Sequence, residues 1–295
     1  MRYFVILVFC LFIFPLGALE AAGPPICTED SSGRITNVDA GGSNDFCRLS
    51  PSELQITLKY LGLCTSQPSV SSYSTVCTPL FESAVGEELT LASGGSVPLV
   101  GSISIPEGTY THAWILTSNT VKLSILGHFT PDRTGKSGTG PYCWTLSGNS
   151  SGGTGAINES TSQSSWLAEC GTLADSDPQL TTSTMVAFYD FAGRTGYLNT
   201  SSGTNSSGSY EIILIDSAGN ESIVALSGSS SNPATQFGGT QTFTTPVVVS
   251  PSTTSIDVGF RLENTGGVLF GTVGGDTSHI PRFGVGGFEF RVQTN

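Results

Sequence analysis

Charge is what this chain has least of. Only 12% of its 295 residues are Asp, Glu, Lys or Arg, about half the usual ~25% share. Basic residues number 11, and the only lysines are Lys59, Lys122 and Lys136. Against 23 acidic residues this leaves a formal net charge of −12. Nucleic-acid backbones need clustered Lys and Arg, so no nucleic-acid partner is expected. Anionic lipid surfaces are disfavoured for the same reason. Histidine is also scarce, with His112, His128 and His279 alone. No Cys-x-x-Cys occurs, and no histidine stands at zinc spacing from a cysteine pair, so no metal and no cofactor are expected. Beyond residue 22 no apolar run is long enough to cross a bilayer as a helix, so no transmembrane helix is expected in the mature form. Helical periodicity is missing as well: no window of about eleven residues carries a 3.6-residue apolar repeat.

What fills the chain is hydroxyl, glycine and alternation. Ser and Thr make up roughly a quarter of it, well above typical usage, beside 37 glycines and 15 prolines. Residues 97–129 organise the reading. Ile103 and Ile105 alternate with Ser102 and Ser104, Pro106-Glu107-Gly108 interrupts, and 110–116 resumes the strand. Val121, Leu123 and Ile125 alternate again after Ser118-Asn119, giving two long strands. Apolar residues at period two bury one face of a sheet, and Pro and Gly between such runs mark turns. Residues 54–60 alternate most cleanly. Further strands are expected at 88–92, 142–144, 185–191, 243–249, 255–262, 268–273 and 288–292. Residues 210–215 and 223–226 read as a hairpin across 216–220. The tracts 147–165, 199–209 and 227–232 have loop composition. The fold class expected is all-β, built as antiparallel β-sandwiches.

The N-terminus reads as a secretory signal peptide over residues 1–22: Arg2, an apolar core over 3–14, then Ala18, Ala21 and Ala22. Export to the cell surface, the exterior or the periplasm follows as the expected localisation. Cys10 belongs to that segment. Six cysteines remain: Cys27, Cys47, Cys64, Cys77, Cys143 and Cys170. An even count in an exported chain implies disulfides. Sequence does not choose the pairing, but closeness favours Cys27 with Cys47, Cys64 with Cys77, and Cys143 with Cys170, each stabilising by roughly 2–4 kcal/mol. All six precede residue 171. The expected organisation is a polar N-terminal arm over 23–52, a disulfide-containing β-sandwich domain over 53–175, and a second β subdomain over 183–295 that relies on packing.

The run Gly101-Ser102-Ile103-Ser104-Ile105-Pro106-Glu107-Gly108-Thr109-Tyr110-Thr111-His112-Ala113 resembles the strand, Pro-x-Gly-Thr-Tyr, strand element of immunoglobulin-like and prealbumin-like sandwich modules in exported bacterial surface proteins. The strand 54–63 leading into Cys64 is similar to that class too. The resemblance covers about residues 50–145. It implies fold and export and brings no functional residue with it.

Candidate sites are few. Gly148-Asn149-Ser150-Ser151-Gly152 matches Gly-x-Ser-x-Gly, but a nucleophile elbow needs a strand before it and a helix after it. Gly135-Lys136-Ser137 has the ending of a phosphate-binding loop, with Thr130 where its first glycine belongs. Glu87-Glu88 and Asp175 with Asp177 read as solvated turns rather than a carboxylate dyad or a calcium loop. Sequons occur at Asn149, Asn158, Asn199, Asn205 and Asn220. His112 shares a strand face with Tyr110 and Trp114, and Tyr110, Trp114, Trp144 and Trp166 are the aromatics that could stack on a glycan ring. No catalytic set converges, so a non-enzymatic structural or adhesive subunit of a fibre, surface layer or adhesin is expected. Its partners would be copies of itself or other surface proteins. The alternatives are a secreted carbohydrate-binding module and a secreted hydrolase. If subunits exchange strands, the expected donor is 287–293, where Phe288, Phe290 and Val292 alternate with polar residues.

Overall fold

The computed structural model describes residues 26–36, 46–92, 105–150, 162–184, 188–189, 197–198, 200–205, 207–222, 234–262, 266–271, 280–285 and 289–294. The expected signal segment, His279 and the second arm of the 223–226 hairpin lie outside them. In chain order the strands are β1 (Phe46–Leu49), β2 (Glu53–Cys64), β3 (Cys77–Ala92), β4 (Gly108–Ser124), β5 (Leu126–Thr134) and β6 (Thr139–Thr145). Then come β7 (Gly148–Ser150), β8 (Ala168–Gly171), β9 (Thr181–Thr184), β10 (Phe188–Tyr189), β11 (Tyr197–Leu198) and β12 (Thr200–Asn205). The last six are β13 (Gly208–Asp216), β14 (Ala234–Val249), β15 (Ile256–Arg261), β16 (Gly266–Gly271), β17 (Ile280–Val285) and β18 (Glu289–Thr294). One four-residue helix, α1 (Tyr73–Val76), sits between β2 and β3.

An eight-stranded sheet dominates, in the order β12-β13-β14-β4-β2-β3, with β9 also on β4 and β7 on β9. Every pairing in it is antiparallel except β7 with β9. Smaller sheets, β5-β6-β8, β1-β16-β17 and the β15-β18 ribbon, contribute to the same apolar core. That core runs from Leu54, Ile56 and Leu61 on β2 through Ile115 and Leu123 on β4 to Phe129, Phe260, Phe283 and Phe290. The fold is all-β and sandwich-like.

The alternation in β2 does what period two requires: Leu54, Ile56 and Leu58 are buried, while Gln55, Thr57 and Lys59 are only partly covered. β4 corrects the expected turn at Ser118-Asn119. It is one continuous strand, and Asn119 is buried inside it with its amide donating to Ala234 O at 2.7 Å. On that edge β4 exchanges neighbours, pairing with β14 up to Ser118 and with β9 from Thr120. Asn119 therefore caps the end of β14 where the ladder changes hands. Mid-strand Gly238 and Gly239 make room for β4 side chains. A Cβ at Gly238 would stand 2.6 Å from the Trp114 ring, and one at Gly239 2.9 Å from Ile115.

The division expected between 175 and 183 does not separate the sheets. β14 pairs along β4, and β1 pairs with β16, so strands from both halves share their ladders. The bridges do all lie early: Cys27–Cys47, Cys64–Cys77 and Cys143–Cys170, with Cα separations of 4.9, 3.9 and 4.1 Å. Two of them join residues directly opposite in register, across β2–β3 and β6–β8. The N-terminal arm is less of a surface tail than its composition implies. It contains β1, buries Cys47 and Leu49, and inserts buried Ile35 beside β5, with Ile35 N donating to His128 O at 2.7 Å.

Candidate functional site

The four aromatics expected to stack on a glycan are all in the interior. Trp114 is 0% exposed, Tyr110 2%, and Trp144 and Trp166 4% each. An aromatic stacks on a sugar only with a free face, and sheet packing has taken these. Trp114 projects from β4 opposite to Ala113 and Ile115, so it lies on the other side of the sheet from the main core. There Tyr73 of α1 stacks on it at 5.5 Å, and Tyr60 meets Tyr73 edge-on at 4.9 Å. The loop carrying Tyr73 is closed by Cys64–Cys77. The Trp114 indole N–H has no hydrogen-bond partner. Burial, then Glu82 and Tyr73, push the Tyr60 phenol up to about 12. His112 is half-buried, its Nδ1 within 2.8 Å of Thr111 Oγ1, and burial holds its pKa below the ordinary value. His128 and Tyr142 form a half-buried parallel stack at 4.1 Å, as cross-strand neighbours on β5 and β6.

The two loop motifs resolve differently. Gly148–Ser150 is a short strand, β7, rather than the exit from a strand into a helix. The 135–138 loop is a genuine anion nest, but its anion is the chain's own. Ser137 N donates to Glu169 Oε2 at 2.9 Å and Oε1 at 3.0 Å, and Gly138 N to Oε1 at 2.8 Å. Cys170 N adds a contact to Oε1 at 3.0 Å. Burial pushes the Glu169 carboxyl up, but these donors outweigh it and hold its pKa below the usual range. The loop runs so close to β8 that a Cβ at Gly135 would fall 2.1 Å from Cys170 N. A phosphate finds the seat taken.

Among the described residues no group of three or more His, Cys, Asp or Glu is placed to hold a metal ion. An apolar cavity of about 30 Å³ lies between Leu61, Ile115, Ile212, Phe237 and Phe290, room for about one water molecule. Its roof is β18. The expected exchange segment, whose first residues 287 and 288 lie outside the described ones, is engaged in its own molecule from Glu289 on: β18 pairs with β15, and buried Phe290 sits beside Phe243 and Phe260. The Gln241 side chain imitates a strand residue, accepting from Phe290 N at 2.8 Å and donating to Phe290 O at 2.7 Å. Glu289, which alternation places toward solvent, is buried. It meets Ser207 Oγ, Arg291 Nε at 3.1 Å and Arg261 Nη1 at 3.9 Å.

The feature left open is an edge. β3 spans 16 residues at the end of the eight-stranded path, and among the described residues no strand pairs with its outer side. Glu87-Glu88, read from sequence as a solvated turn, belongs to this strand. Between Tyr60↔Glu82 and Leu58↔Glu87 the register slips, and residues 83–86 bulge out. Gly86 turns there at φ +87°, its N–H held by Ser83 Oγ at 3.1 Å, and Val85 is 86% exposed. Neither the edge nor the Gln241 clamp has a local sequence signature. The only hint was the pair of glutamates beside alternating Leu89 and Leu91.

No family model, no curated protein and no solved structure matches this chain. No helix among the described residues is long and apolar enough to cross a membrane.

Proposed function

We propose that the protein is an exported, non-catalytic structural or adhesive component that works at or outside the cell surface. The observation that carries this reading is the 16-residue strand β3, the longer of the two strands that end the main sheet's path, with no strand on its outer side among the described residues. Sheet edges are templates for strand addition, and proteins that hold surfaces together use them so. Two further facts support it. Three disulfides fit an oxidising compartment, and a surface poor in charge but rich in hydroxyls suits extracellular scaffolding.

The test is fractionation of cells producing the full chain, with thiol alkylation before lysis. The mature protein should be recovered outside the cytosol, in the envelope or medium, with no alkylatable cysteine. It should show no turnover when purified and offered polysaccharide, ester and peptide substrates. Recovery in the cytosol with two or more free thiols overturns the export reading. Turnover of any of those substrates overturns the non-catalytic one.

A further inference from the structure

We propose that the 87–92 half of β3 accepts an extended segment of another protein, one in which apolar residues alternate with lysine or arginine. The proposal deepens the adhesive reading above and rests on it.

The geometry comes first. Residues 87–92 run in unbroken antiparallel register with 53–58 of β2. Antiparallel pairing uses the backbone groups of alternate residues, so the remaining ones point away from β2, toward the open side. The 83–86 bulge interrupts this edge. Bulges are a common guard against indiscriminate sheet growth. Here the bulge ends the accessible ladder and limits a partner to a short strand along 87–92.

The side chains then specify the partner. On the core side Leu91 is buried, while Leu89 is only half-buried and touches the core from its rim. A strand added beyond β3 would set its own core-side residues against Leu89, so those residues should be apolar. On the other side Glu88 and Thr90 are exposed. Lys122 Nζ lies 2.8 Å from Glu88 Oε2 and 3.2 Å from Gln55 Oε1, a polar row running across β4, β2 and β3. A basic residue on the added strand would extend that row past Glu88. Every charge on β3 is negative: Glu82, Glu87 and Glu88. Cross-strand opposite charges stabilise a pair and like charges oppose it. A second copy pairing 87–92 with 87–92 would gather Glu87 and Glu88 of both chains on one short seam with no basic residue on either strand, and a net charge of −12 adds long-range repulsion. The partner is therefore a different, basic chain.

The experiment uses the full-length oxidised protein, isotope-labelled, titrated with the end-blocked peptide Val-Lys-Val-Lys-Val-Lys-Val. Parallel titrations use the same peptide with Glu for Lys, and with Pro at its centre. The Lys peptide should shift the amides of 87–92 and slow their hydrogen exchange. It should bind at least about tenfold more tightly than the Glu peptide, a difference of about 1.4 kcal/mol. Its advantage should fall as salt rises. In an E87K/E88K variant the preference should invert, because both glutamates are exposed and their replacement leaves the core untouched. No binding of the Lys peptide at millimolar concentration, equal binding of Lys and Glu peptides, or undiminished binding of the Pro peptide would each overturn the proposal. So would self-association through β3 in sedimentation. Peptide binding by a protein that stays in the cytosol would leave this edge standing and remove the adhesive reading. An exported protein with an inert edge would do the reverse.

Discussion

Replacing Glu169 by Gln isolates the charge in the 135–138 nest while keeping the shape. The carboxylate takes N–H groups from Ser137, Gly138 and Cys170. A glutamine offers one oxygen, and its amide would point N–H at N–H. A hydrogen bond to a charged group contributes about 1.5–3 kcal/mol when buried. Glu169 is half-buried, so solvent screening reduces that, and about 1–2 kcal/mol for the whole nest is a fair magnitude. At about 2–4 °C per kcal/mol for a chain of this size, the variant should melt roughly 2–8 °C lower at pH 7. The pH dependence has a definite sign. The folded pKa of Glu169 lies below its ordinary value, so this stabilisation is full above the unfolded pKa of about 4.3. It is lost as pH falls through the folded value. Urea unfolding of both proteins at pH 7 and near pH 2.5 should show a gap that closes in acid. A gap that persists unchanged in acid, or no gap at pH 7, would refute the account of the nest.

Two other perturbations have clear outcomes. Gln241→Leu strips both partners from the Phe290 main chain, and unmet buried polar groups cost about 1–3 kcal/mol each. Hydrogen exchange at 289–294 should accelerate well before global unfolding, and unchanged protection there would show that β15 alone holds the ribbon. Replacing Cys64 and Cys77 together by Ala opens a loop with a sequence separation of 13, worth about 3 kcal/mol in unfolded-state entropy. Faster exchange should reach β14 as well as β2 and β3, because β4 is common to them. Loosening confined to residues 54–130 would show that the shared sheet is not cooperative.

Much of the framework was legible in the sequence. Leu54, Ile56 and Leu58 declared β2 because one face of it is solvated and period two survives. The three bridges followed from closeness along the chain. Other elements hid for physical reasons. The first part of β3 carries Pro79 and Gly86, which edge strands and bulges tolerate and which read as breakers. The first half of β14 holds Gly238 and Gly239, whose missing side chains are supplied by Trp114 and Ile115 from another strand. Asn119 looked like a turn residue because its acceptor, the carbonyl of Ala234, is 115 positions away. The candidate edge was invisible for the same kind of reason. Glu87 and Glu88 become an edge only once β2 fixes their neighbours.

The way β4 is shared bears on how the chain matures. All three bridges close over short separations of 20, 13 and 27 residues, so each can form while synthesis is still under way. The strand that fills the other side of β4 ends at Val249. Until it arrives, the chain is covalently stapled yet carries a second unzipped β margin at its centre, beside Trp114 and Ile115. Non-local pairings of this kind form slowly, and unpaired margins are sticky in the interval. Early oxidation therefore gives no protection at this late-closing seam. Shortening the wait between β4 and β14, by circular permutation for example, should raise the yield of folded protein even if its final stability is unchanged.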